Sequence, residues 1–140
     1  MKQLPHFRLI GLIDENIVAQ VGIDYRVISI EGTPKKIFGI IDLCVCTKER
    51  NKGLAENLMN EVEILAKSSE VDHIVLFADD NRLYKKLGYK NISNVCKYLG
   101  IDEHKTVGVL ENDLSDCMMV KDIGSNPWER GNIDMLGYIF

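Results

Sequence analysis

The hydrophobic period of the chain changes after its first third, and the change separates two kinds of element. From Phe7 to Ile13 apolar and polar positions alternate, and after the polar turn Asp14-Glu15-Asn16 the alternation resumes with Ile17, Ala19, Val21 and Ile23 on one face. A period of two is that of a half-buried strand, so this stretch predicts a hairpin. Strand character continues over 25–31, Gly32-Thr33-Pro34-Lys35 predicts a turn, and a β-rich run returns over 36–46. Then Leu54, Ala55, Leu58, Met59, Val62, Leu65 and Ala66 recur at helical spacing, which predicts a helix over 53–68. The short apolar run 73–78 behind that helix suits a parallel partner of the preceding strand, completing a βαβ unit.

Further on, Asp79-Asp80-Asn81 can cap a short helix carrying Leu83, Tyr84 and Leu87, and Gly88 suits the left-handed residue that ends it. Strands are expected over 95–99, 106–110 and 117–120, with a loop at 126–131 and an apolar end over 133–140. The expected class is α+β, in an α/β/α-like arrangement: a mixed, mostly antiparallel sheet with flanking helices. At 140 residues the chain predicts one domain over 1–140.

Composition narrows the function classes. A hydrophobic fraction of 46% beside 27% charged residues supports a buried core and excludes a wholly disordered chain. The net charge of −4 argues against nucleic-acid or anionic-membrane partners. No apolar run approaches the ~20 residues of a membrane span, and polar residues 14–16 precede any signal-like cleavage region, so a cytoplasmic location is expected. Cys44, Cys46, Cys96 and Cys117 lie in apolar segments and read as small buried hydrophobes; neither a disulfide framework nor a metal site is expected.

Chemistry concentrates where a strand passes through a polar loop into the amphipathic helix, from Leu43 to Ala55. A helix N-terminus offers unpaired amides and about half a positive charge, and Gly53 and Ala55 would let a phosphate come close to the backbone. Lys48, Arg50 and Lys52 add positive charge. The segment lacks both G-x-x-x-x-G-K-[ST] and G-x-G-x-x-G. By residue type alone it serves equally well as a solvated loop.

Arg50-Asn51-Lys52-Gly53-Leu54-Ala55 fits R-x-x-G-x-[GA], and with the upstream pair Leu43 and Val45 and the downstream run 81–89 (NRLYKKLGY) it resembles the GNAT superfamily of acetyl-CoA-dependent N-acetyltransferases. The resemblance covers about 7–92, leaving 93–140 as C-terminal strands and tail. It implies the GNAT fold, with a splayed parallel pair of strands, 36–46 and 73–78. It also implies acetyl-CoA as cosubstrate, held by Leu43, Cys44, Val45, Arg50, Asn51, Lys52, Gly53, Leu54, Ala55 and Asn81, with no metal.

Amine acetylation needs a base for the amine and a proton for the departing thiolate. The resemblance assigns the acid to Tyr84 and makes Asp42, the one carboxylate in the strand entering the cofactor loop, the candidate base; a surface aspartate is an equal reading of Asp42. The order of features is similar to that of aminoglycoside 2′-N-acetyltransferases, which implies a small-molecule primary amine as acceptor. Against the family pattern, the strand and two helices that usually precede the sheet are missing ahead of Phe7, so an N-terminally truncated form is expected. Its acceptor pocket would be open, covered by the apolar end 135–140, or closed by another copy in a homodimer. Two further readings stand beside this one: a non-catalytic acyl-CoA-binding or regulatory module, and a peptide N-acetyltransferase.

Overall fold

The computed structural model describes residues 4–140. Alternation builds the first third as two hairpins in series, β1 (Phe7–Ile13), β2 (Asn16–Ile30) and β3 (Thr33–Val45). Both turns are two-residue loops at positive φ, Asp14-Glu15 at 48° and 66° and Glu31-Gly32 at 46° and 82°. That handedness matches the twist of the flanking strands. The second turn is therefore tighter than the four-residue turn expected at Gly32–Lys35, and Pro34 lies among the first residues of β3, where proline is tolerated.

After a 3₁₀ turn (Thr47–Glu49) come α1 (Leu54–Ser68), β4 (His73–Phe77), α2 (Arg82–Lys86), β5 (Lys90–Asn91), β6 (Val95–Asp102), β7 (Lys105–Asp113), β8 (Met118–Asp122) and β9 (Ile133–Asp134). The strands form one mixed sheet in the order β5-β8-β4-β3-β2-β9-β6-β7, with β1 on the first half of β2. Only β3–β4 and β6–β9 are parallel. The class is α+β as the period predicts. Among the described residues no helix is long and apolar enough to cross a membrane.

Two features of β3 position everything that follows. First, Gln20 pairs with Cys44 but Gly22 pairs with Ile41, so Asp42 and Leu43 together oppose Val21. This is a β-bulge, and Asp42 takes the positive φ of 50° that such a residue adopts. Second, β3 pairs with β4 only over Ile37–Gly39 against His73–Val75, although β3 runs on to Val45 and β4 to Phe77. The two strands part company beyond Gly39.

The sheet buries both faces. On one, Leu58, Met59, Val62 and Ala66 of α1 pack with Phe38, Ile40, Ile74 and Leu76. Each of the larger of these side chains contributes roughly 1.5–3 kcal/mol of transfer free energy. On the other, Ile37 and Val75 pack with Cys96, Met118 and Ile133. The bulge resets side-chain parity along β3: Leu43 and Val45 join the α1 face, while Cys44 and Cys46 are exposed. The expectation that all four cysteines are buried therefore holds for Cys96 alone, with Cys117 half-buried.

The apolar end packs on its own sheet. Met135 is fully buried and its N–H donates to the Lys97 carbonyl at 2.9 Å, while the Leu99 N–H donates to the Gly137 carbonyl at 2.8 Å. The Phe140 ring takes the space of a missing side chain: a Cβ on Gly39 would lie 2.6 Å from it. Arg26 clamps this segment, donating to the Tyr138 carbonyl at 2.7 Å and stacking over the Phe140 ring at 5.2 Å. Asp24, fully buried, holds the guanidinium in turn at 2.5 Å.

Candidate active site

The departure of β3 from β4 leaves a strip of backbone without a sheet partner. The Cys46 N–H donates to the Val18 carbonyl across to β2. Because successive backbone groups point to opposite edges of a strand, the polar groups of Val45 and Leu43 point the other way, toward the gap. The Arg50 Nε accordingly reaches the Val45 carbonyl at 3.2 Å. An extended ligand carrying amides could hydrogen-bond along this strip as an additional strand does.

At the end of the strip the chain turns into α1 through two left-handed residues, Asn51 (φ 60°) and Gly53 (φ 79°). Gly53 is the N-cap and supplies no side-chain cap, so the first amides of α1 are left for another acceptor. Nothing lies within 4 Å of where a Gly53 Cβ would be, so the approach is open. Backbone amides converging in such a left-handed turn form an anion-binding concavity, reinforced by the helix dipole.

The strip and the helix start are two walls of one groove of about 880 Å³. Leu43, Cys44, Val45, Arg50, Asn51, Gly53, Leu54 and Ala55 line it, and α2 closes it with Leu83 and Tyr84. Three of the sequence-predicted residues are not in the lining. Lys52 is turned aside by an ion pair with Glu49 at 2.8 Å. Asn81 caps α2 by position without a side-chain hydrogen bond; the Arg82 N–H is taken by the Asp80 carboxylate at 3.2 Å. Asp42 sits exposed on the bulge, beside the groove rather than in it.

Tyr84 is half-buried, its ring set edge-on to Tyr89 with centroids 5.8 Å apart. Burial, then the nearby Asp80 carboxylate, pushes its pKa up. The phenol therefore carries its proton throughout the neutral range. Asp80 is itself held at a pKa of about 2 by hydrogen bonds from Arg82. Lys86 of α2 pairs with Glu56 in the first turn of α1 at 2.8 Å, tying the groove's walls together.

A second cleft, of about 840 Å³, adjoins β3 at Ile41. Its walls come from β6, the β6–β7 turn and the segment 138–140. Sequence reasoning set the apolar end 135–140 beside a pocket but missed the walls from β6 and the turn, including Glu103 and His104. No local motif marks a cavity assembled from segments about the whole chain apart. Among the described residues no cluster of three or more histidine, cysteine or acidic side chains could hold a metal.

Comparison with known proteins agrees with this geometry. Residues 2–92 match the family described as acetyltransferase (GNAT) domain. No curated protein matches the chain by sequence. Among solved structures, a GNAT family N-acetyltransferase from Escherichia coli in complex with CoA superimposes with a TM-score of 0.70 at 17% identity, covering 94% of this chain and 68% of its own. A GNAT family acetyltransferase from Brucella melitensis in complex with acetyl-CoA gives 0.63 at 14% identity, covering 93% and 66%. A GCN5-related N-acetyltransferase from Kribbella flavida gives 0.56 at 23% identity, covering 59% and 22%. The present chain thus spans about two thirds of the first two proteins and under a quarter of the third.

Proposed function

Since the chain belongs to the GNAT acetyltransferase family, we propose that it transfers the acetyl group of acetyl-CoA to a primary amine of a small molecule, by direct attack in a ternary complex. The observation that carries this reading is the strip of β3 from Ile41 to Val45, which has no partner in β4 and leads to an uncapped helix start. One surface thereby offers a strand edge for the amides of pantetheine and an amide-rich turn for the pyrophosphate.

In this reading the amine nitrogen attacks the thioester carbonyl carbon, and the resulting oxyanion is met by a strand amide, for which Val45 N–H has the right direction. The carbon–sulfur bond then breaks, and Tyr84 protonates the departing thiolate. The proton lost by the amine passes to Asp42 through water; in sequence this bulge residue stands between Ile41, which lines the second cleft, and Leu43, which lines the groove. The likeness to aminoglycoside 2′-N-acetyltransferases rests on motif order alone.

Arg50→Glu tests the cofactor assignment. It should weaken acetyl-CoA binding by about 1.5–3 kcal/mol, the scale of a hydrogen bond to a charged group, as read by calorimetry. An unchanged affinity would remove the phosphate from this turn.

A further inference from the structure

We infer that the cleft beside Ile41 is the acceptor site and that it selects a primary amine carried on an apolar, ring-bearing body rather than a polycation; this rests on the acetyl-transfer reading above. The cleft and the cofactor groove lie on either side of one stretch of β3. Ile41 faces the cleft, Leu43 and Val45 face the groove, and only the bulge residue Asp42 separates them. An amine held in the cleft is therefore directed at the place where β3 and β4 part, which is where a thioester on the β3 strip would lie.

The walls decide the class of acceptor. Tyr98, Ile101, Tyr138 and Phe140 surround the cleft, and Ile101 leaves half of its surface, 50%, exposed. Such apolar surface gains free energy when an apolar body covers it. Its volume of about 840 Å³ lies within the usual range of small-ligand sites. Among the described residues Glu103 is the one acidic side chain in the lining, beside the imidazole of His104. A polycation leaves its remaining charges facing aromatic and aliphatic walls, where an unpaired charge is costly. A monoamine has a single charge, which it must shed before attack in any case.

The walls are also held rigid, as a selective site requires. The Tyr98 hydroxyl accepts a hydrogen bond from Asn112 at 2.8 Å. Tyr138 and Phe140 are pinned by Arg26 and by the space over Gly39.

The test is calorimetry at saturating CoA with three probes: 2-phenylethylamine, ethanolamine and spermidine. Phenylethylamine should bind roughly tenfold more tightly than ethanolamine, as burial of several apolar carbons requires. Ile101→Thr, which keeps a β-branched residue at a half-exposed strand position, should weaken phenylethylamine by about fourfold, the scale of one buried methylene. It should leave ethanolamine and CoA unaffected. Spermidine or ethanolamine binding as tightly as phenylethylamine, or an Ile101→Thr protein that binds all three unchanged, overturns the inference. Should CoA itself give no heat, the acetyl-transfer reading fails. The same amines titrated into the ligand-free protein then decide the cleft by the same Ile101 criterion.

Discussion

At the scale of single residues, the proposed chemistry divides between a phenol in the groove and a carboxylate on the bulge. Tyr84 is half-buried with its pKa raised, first by burial and then by Asp80, so it is a proton donor that stays loaded at neutral pH. Tyr84→Phe preserves the ring and its edge contact with Tyr89 while removing the proton. Turnover should fall by about 100-fold, the lower end for general acid catalysis, with acetyl-CoA affinity unchanged in equilibrium titration. Equal loss of binding and turnover would make Tyr84 a packing residue. Asp42 calls for a different substitution, because its φ of 50° is strained for most side chains. Asparagine adopts that conformation readily, so Asp42→Asn removes the carboxylate and keeps the bulge. We expect it to lower kcat while leaving KM for acetyl-CoA intact. An unchanged kcat would leave Asp42 no role in proton transfer.

At the scale of elements, the segment behind β9 depends on a glycine in the centre of β3. With Phe140 in place, a Cβ at position 39 would lie 2.6 Å from its ring, so Gly39→Ala must displace the ring or bend the strand. Overpacking of this kind costs about 1–3 kcal/mol. In a Phe140→Ala background the clash is absent, and alanine should instead stabilise by roughly 0.5–1 kcal/mol, because glycine is a poor strand residue. Denaturant titration of the two singles and the double mutant should show this reversal of sign; additive costs would mean that Phe140 does not occupy the space over Gly39. The hairpins, α1 and the βαβ crossover were all legible in the sequence, because each is a run with its own period. So was the turn into α1: its residues are contiguous, and of Arg50–Ala55 all but Lys52 line the groove. The bulge was not: one inserted residue shifts the parity of Leu43, Cys44 and Val45 without changing their hydrophobicity, and the expected burial of Cys44 and Cys46 fails for that reason. Nor could periodicity reveal β9, whose two residues are fixed by pairing with distant β2 and β6.

At the scale of the whole molecule, one sheet carries the proposed cofactor groove on the face that α1 covers and the proposed acceptor cleft on the other, so the proposal depends on how firmly the sheet's far side is closed. Part of that closure is a buried polar cluster around His73, at the start of β4. Its Nδ1 lies 3.0 Å from the Asp122 carboxylate, which also accepts the Trp128 N–H at 3.0 Å, and the Trp128 ring packs edge-on to the imidazole. The Trp128 Nε1 donates in turn to Asn94, which anchors the 129–131 loop through two carbonyls. His73 Nε2 is buried and has no hydrogen-bond partner, so protonating the ring would add a charge and an unsatisfied donor. Burial accordingly lowers its pKa below 6.5, outweighing the attraction of Asp122 and Asp72, while Lys35 adds to the lowering. The unfolded chain then takes up a proton on this ring at a higher pH than the folded one. The stability tied to the neutral ring is present in full above about pH 6.5 and is lost as pH falls through that value toward the lowered folded pKa. Tm measured from pH 7.5 down to pH 5 should therefore decline more steeply for the wild type than for His73→Leu, whatever the variant's absolute stability. Parallel slopes would show that the imidazole titrates alike in both states, and that the Trp128 loop is held closed without help from its neutrality.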